Sequence, residues 1–425
     1  MNEGRRIVHE ALSNVRVIDP HCHLRAEKPC ADSLADIVLY HHAWIELVSS
    51  GMPQHEVTRS GLPHELADPG IPPFERVRRA LKYLHNIEST TTGLYLRWIL
   101  HDLYGVDALT EQNLESVYGK VQDKATDEQW QTGFLEEYCG IERCITVESD
   151  SPTERVLIGN ERVLQNLADG KRSSLKILAS MEDSSGRSIN TAQDYRDSLK
   201  KTLDKLPVQQ LKFVNVWPTP YLSCELAAEE DITRTIRKVK NGQAPSPAEV
   251  GGFSYFGIVT VLEALKSTRI RTIQLIAGAE VLPPHRSITH WNSTFCGAVA
   301  RLACSFEDFH FSISSASDVF TQDIGILAKH IPNISVLGYW WHTLYPFYIK
   351  KALETRLDMV PLNKIVGYFS DAYHAEWCYP KLKIVKQIVE EILTERIYRG
   401  WYTVDIATDV VRKLFYENPK AIYAL

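Results

Sequence analysis

A single (β/α)8 TIM barrel, with a helical insertion after its first strand and a smaller insertion after its fourth, is the α/β architecture this sequence predicts. Three observations predict it. Eight short apolar runs rich in β-forming residues recur along the 425 residues, each bounded by turn residues. Helix-period segments lie between most of them. Five of the seven steps from run to run are about 25 to 40 residues, the size of one βα unit.

The expected strands are Val15–Asp19, Arg143–Val147, Leu175–Ala179, Leu211–Val216, Thr272–Ala277, Phe309–Ile313, Ile334–Trp340 and Ile365–Ser370. Most are near-continuous apolar runs, as parallel strands covered on both faces should be. Helices are expected over Thr191–Leu203, Asn292–Ala303, Asp318–Lys329, Tyr345–Leu357 and Lys381–Thr394, with a last one from Trp401 to Asn418. The long first step holds an insertion over residues 24–140, with helices near Asp32–Ser50, Pro73–Tyr83, Thr92–Tyr104 and Glu111–Asp123. The other long step, after the fourth strand, reads as a loop around Pro245, Pro247, Gly251 and Gly252. Both insertions leave the C-terminal ends of strands, where active sites of this fold lie. The whole chain, 1–425, is therefore read as one domain.

The totals exclude several classes of function. A hydrophobic content of 44% beside 24% charged residues suits an ordinary globular protein. With 47 basic against 53 acidic residues and no basic run, there is no electrostatic footprint for nucleic acid or an anionic membrane. The first residues, MNEGRRIVHEALSN, read as an amphipathic helix and not as a signal peptide, and no apolar run approaches the ~20 residues that span a bilayer. Eight cysteines without a Cys-x-x-Cys pair point to reduced thiols and a cytoplasmic location.

The chemistry gathers at VRVIDPHCHL, residues 15–24. His21 and His23 follow the first strand at His-x-His spacing, which turns both imidazoles the same way, with Cα atoms roughly 6.5 Å apart. Closing a barrel sets the eighth strand beside the first and brings Asp371, at the end of IVGYFSD, next to them. Alone, Asp371 is a helix N-cap and each histidine a loop residue. Together the three are a ligand set for a catalytic divalent metal with an open position.

DPHCHL with an aspartate at the end of the eighth strand resembles the amidohydrolase superfamily of metal-dependent barrel enzymes. HHAWIELVSSG (His41 to Gly51), TTTGLYLRWILHDLYGV (Thr90 to Val106), GYWWH and the end NPKAIYAL look like its uronate isomerase branch. The resemblance covers most of the chain in order of elements. It implies one divalent metal, zinc first, held by His21, His23 and Asp371. It places His41 where the family has a catalytic histidine, and Trp340 or Trp341 where it has an active-site tryptophan.

The departures from the family lie in the substrate pocket. His42 stands where the family has a tyrosine, and Ala372 and Tyr373 follow Asp371 where it has serine and arginine. Glu182 falls near its strand-three arginine, and Ile276 replaces a fifth-strand histidine. Loss of those arginines weakens the case for a uronate carboxylate, which bidentate arginine recognises best. Lys212, where many superfamily members carry a metal-bridging lysine, reads equally as a substrate contact or a buried ion pair, since second-metal histidines are absent. His285, His290, His342 and His374 would share the catalytic face, with His374 first among them as a substrate contact; Arg286 is the replacement anion holder, with Arg187 next.

Two mechanisms fit these residues. In hydrolysis, the reading placed first, a metal-activated water attacks a small polar, sugar-derived substrate while Asp371 moves the proton. In hexuronate aldose–ketose isomerisation, which the resemblance implies, His41, His42 or Tyr373 carries a proton between two carbons. A third reading is a non-catalytic metal-binding barrel, against which the intact ligand set speaks. The partner in each case is a small molecule, with homo-oligomer formation left open.

Overall fold

The computed structural model describes residues 3–25, 27–57, 70–146, 155–157, 179, 181–183, 185–205, 213–219, 221–282, 286–289 and 292–425. Its residues fall into two compact units, Met1–Ser151 with Leu344–Lys350 and Tyr368–Tyr416, and Pro152–Thr343 with Lys351–Gly367 and Glu417–Leu425.

In the first unit, β1 (Val17–Cys22) pairs in parallel with β2 (Ile141–Thr146). The strand runs three residues further than expected and takes Pro20, His21 and Cys22 into it. Its register slips between Asp19 and Cys22, a bulge at the one residue, Pro20, that has no N–H to give the ladder. Helices fill the interval to β2: Leu34–Val38, His41–Ser49, Pro73–Ala80, Thr91–Trp98, Leu114–Thr126 and Glu128–Cys139. The helix expected over Asp32–Ser50 is split, because Tyr40 is extended (φ −50°, ψ 141°) and starts a second helix at His41. The sequence reading missed Glu128–Cys139; Gly140, left-handed at φ 66°, ends it and turns the chain into β2. The stretch after the last strand lies along β1, the Asp371 N–H donating to the His21 carbonyl at 2.9 Å and the His23 N–H to the Ala372 carbonyl at 2.7 Å.

The second unit holds β3 (Arg155–Leu157), β4 (Phe213–Val216), β5 (Thr272–Ala277), the antiparallel hairpin β6 (Ala279–Leu282) and β7 (Arg286–Thr289), then β8 (His310–Ser315), β9 (Ile334–Leu337) and β10 (Ile365–Val366). Six of these strands are parallel and stand in the order β10-β9-β8-β5-β4-β3. Arg155–Leu157 takes the place beside β4 that Leu175–Ala179 was expected to fill; of the latter only Ala179 is described, and it is helical.

The expected loop after β4 is corrected to two helices, Glu229–Lys240 and Pro247–Leu265. Pro247 is a first-turn proline, and Ser246 with Glu249 forms a capping box, so residues that read as loop punctuation start a helix instead. Gly251 belongs inside it because a Cβ there would meet the Tyr221 carbonyl oxygen at 1.9 Å. The same helix corrects the expectation that no apolar run approaches bilayer length. It has 19 residues and is apolar enough to cross a membrane, yet 72% of its apolar window is buried inside the protein, as in a core helix.

A row of buried polar side chains crosses this sheet in register, Asn215, Gln274, Ser312 and Ser335. Buried polar groups need partners, and the C-terminal tail supplies one. Asn215 Nδ2 donates to Gln274 Oε1 (2.7 Å), Gln274 Nε2 donates to the Tyr423 hydroxyl (3.0 Å), and that hydroxyl donates to Ser312 Oγ (2.9 Å). Tyr423→Phe is therefore expected to cost about 1–3 kcal/mol, the penalty for stranding a buried polar group. It is read from the urea midpoint; an unchanged midpoint would show that the row is satisfied without the phenol.

Candidate metal centre

His21 and His23 leave β1 at the bulge and meet Asp371 from the far end of the chain. His21 Nε2 lies 3.1 Å and His23 Nε2 3.2 Å from the same oxygen, Asp371 Oδ1. The three ligand atoms lie within 4.8 Å of one another, His21 and Asp371 buried and His23 half-buried. Two imidazole nitrogens and a carboxylate oxygen are the donors zinc and similar divalent ions take, and three of them leave positions for substrate. The donor set thus fits a single metal ion. Burial works to raise the Asp371 carboxyl, but its bonds to His21 and His23 outweigh that and hold it well below the usual carboxylate range.

Asp371 adopts φ 50°, a left-handed conformation that costs a non-glycine residue about 1–3 kcal/mol. The surroundings over-determine it. Lys381 Nζ, buried, donates to the Ser370 carbonyl at 2.8 Å, and the Tyr40 hydroxyl donates to the Asp371 carbonyl at 3.4 Å. Asp19 Oδ1 accepts the N–H groups of Ser370 (3.0 Å) and His21 (3.2 Å), so one buried group fixes the backbone on both sides of the candidate donors. Tyr40 in turn stacks on Trp377 at 4.3 Å.

Three expected catalytic side chains gather beside these donors. The Tyr373 ring stacks on His23 (centroids 4.3 Å, planes 7° apart), and His41 meets Tyr373 edge-on at 5.3 Å. His42 lies 4.0 Å from His41, which is buried at the first position of its helix. A chain of rings therefore leads from His23 through Tyr373 to His41 and His42.

The remaining expected residues are placed elsewhere or fall outside the described residues. In the second unit Trp340 meets Trp217 (5.1 Å) and Trp341 (5.6 Å), and Trp341 stacks on His342. Trp341 has φ 46°, another non-glycine residue held in the left-handed region. Thr343 fixes this turn, its hydroxyl donating to the Ser315 carbonyl at 2.9 Å. Glu182 is turned to Lys240 Nζ at 2.6 Å, so its charge is already matched. His374 precedes the helix Ala375–Tyr398, and its electrostatic neighbours are Asp36, Arg25 and Asp32. Arg286 opens β7, with its side chain outside the described residues, as are Lys212, His285 and His290.

Sequence reasoning missed Asp19, Tyr40, Ser370, Lys381 and Trp217. Two had a signal: Asp19 is a lone acid in an apolar strand, and Lys381 is a charge on the apolar face that Trp377, Leu382 and Val385 define.

Glu376, close by and buried, accepts the Ala31 N–H at 3.0 Å. Burial pushes its carboxyl up to about 7 from 4.5. Between those values the folded chain holds a proton that the unfolded chain has released, so this group makes stability fall as pH rises from about 4.5 to 7. Glu376→Gln is expected to flatten that part of the stability profile, measured by urea unfolding across the range. A variant with the same slope would show that Glu376 stays ionised in the fold.

The fold compares with known structures along its whole length. The chain is similar to the uronate isomerase of Thermotoga maritima, with a TM-score of 0.79 and 14% identity over 100% of this chain and 98% of that one. Glucuronate isomerase from Caulobacter crescentus gives 0.80 and 12% over 100% and 95%. The uronate isomerase of Bacillus halodurans gives 0.74 and 15% over 100% and 97%. In sequence, the uronate isomerase of Thermotoga petrophila is 21% identical over 100 residues, 24% of this chain and only 22% of that relative's length. No protein-family model matches the chain. The chain has the TIM-barrel fold of these uronate and glucuronate isomerase structures.

Proposed function

We propose that the chain is a metal-dependent aldose–ketose isomerase that interconverts a hexuronate with its ketose. One observation carries this reading: a two-histidine, one-aspartate donor set stands on a fold shared from end to end with three uronate or glucuronate isomerase structures. The comparisons favour isomerisation over the hydrolysis that the residues alone put first.

His21, His23 and Asp371 would hold the metal, zinc or a similar divalent ion, which when bound supplies a Lewis acid for the substrate's carbonyl and hydroxyl oxygens. The chain's own residues do the rest. Asp19, Lys381 and Tyr40 keep Asp371 in the strained conformation that aims its carboxylate at both imidazoles. His41 takes the proton from C2 of the sugar and, after exchange with solvent, delivers a proton to C1, while the hydroxyl proton passes from O2 to O1, which together convert aldose to ketose. Tyr373 orients the His23 ring by stacking on it and lies between that ligand and His41.

The experiment is to incubate metal-loaded protein with glucuronate and galacturonate, follow ketose by NMR, and run neutral hexoses, lactones and N-acyl compounds alongside. Ketose from a hexuronate is the expected result. Ketose from a neutral hexose alone would keep the reaction and change the substrate, in line with tyrosine at 373. Cleavage of a lactone or amide without any ketose would return the assignment to hydrolysis.

A further inference from the structure

Cys22 lies between the two histidine ligands in sequence, so strand alternation turns its side chain away from theirs. The bulge at Pro20 brings Asp19 round to meet it: Asp19 pairs with Cys144 on β2, while Cys22 pairs with Thr146 two residues on. The donor atoms of Asp19, Cys22 and Cys144 consequently lie within 4.8 Å of one another, and both cysteines are free thiols. Asp19 Oδ1 accepts the N–H groups of His21 and Ser370, the Ser370 hydroxyl also bonds the carboxylate, and Oδ2 faces Cys144 Sγ at 4.0 Å. Cys22 Sγ is 3.4 Å from the Ile145 carbonyl. Cys22 is buried and Cys144 half-buried.

We propose that Asp19, Cys22 and Cys144 form a second metal site, selective for a thiophilic ion such as cadmium, zinc or copper(I), behind the two-histidine centre. Ligand softness separates the two sites. Thiolate sulfur selects such ions, whereas two imidazoles and a carboxylate also accept harder ones such as manganese. On binding a divalent ion, each thiol loses its proton to solvent and forms a metal–sulfur bond, releasing two protons per ion. Through Asp19 the site touches the backbone of His21 and Ser370, so occupancy is expected to disturb the first centre. The inference stands whether or not the chain isomerises sugars.

The test is cadmium-113 NMR on full-length protein stripped of metal and given two equivalents of cadmium. One strongly deshielded thiolate resonance is expected, separate from that of the two-histidine centre and absent in Cys144→Ser and Cys22→Ser. A second measurement covers a variant that fails to fold: alkylation of Cys144 in the native chain, mapped by mass spectrometry, should slow roughly tenfold or more when one equivalent of cadmium is bound. No thiolate resonance in the native chain, a resonance that persists in Cys144→Ser, or alkylation indifferent to cadmium would each overturn the proposal.

Discussion

Asp371→Asn is expected to leave the chain folded while metal content falls to a small fraction and turnover drops by roughly 10³-fold or more. Both imidazole nitrogens converge on Asp371 Oδ1. An amide in that place removes the negative charge and offers two donors where only acceptors belong. The backbone bonds that hold residue 371 run through the His21 carbonyl, Lys381 and Tyr40, none of which uses the carboxylate, so the conformation survives the change. Elemental analysis, thermal unfolding and a turnover assay on one preparation check the three parts. Full turnover in this variant would mean that the centre lies elsewhere.

The second large effect belongs to His41. His41→Ala is expected to lower kcat by roughly 10²- to 10⁴-fold, the range of a general acid–base residue, with metal content unchanged. The companion Tyr373→Phe keeps the ring that stacks on His23 and removes only the hydroxyl. A fall of less than about tenfold in that variant assigns the proton transfer to His41. If instead Tyr373→Phe is the severe variant and His41→Ala the mild one, the tyrosine carries the proton.

The parts of this molecule legible in the sequence are those governed by local pattern. Near-continuous apolar runs marked β5, β9 and β10 within a few residues, because a strand covered on both faces carries few polar side chains, here Thr272, Gln274 and Ser335. The histidine pair and Asp371 were legible for another reason: ligand spacing is chemistry, and barrel order then supplies the partner. What stayed hidden depends on contacts remote in sequence. The break at Tyr40 is invisible in HHAWIELVSSG, since its cause is a phenol placed against the Asp371 backbone and Trp377. Pro247 and Gly251 misled for the converse reason, each being a helix breaker that here occupies a position where it is tolerated. Lys381 stands out as a charge on an apolar helix face, but its partner, the Ser370 carbonyl, is set by the fold and not by local pattern.

A metal held by His21, His23 and Asp371 and acting on a hexuronate is tested most directly by returning metal to stripped protein. Protein stripped with a chelator, then given back zinc or manganese in steps, is assayed for ketose from glucuronate and galacturonate by NMR in deuterated water. The expected result is no ketose without metal, activity that saturates at one equivalent per chain, and solvent deuterium at the carbon that receives the proton. Ketose formation indifferent to metal, or metal-dependent turnover that cleaves a lactone or amide and never forms ketose, would contradict it.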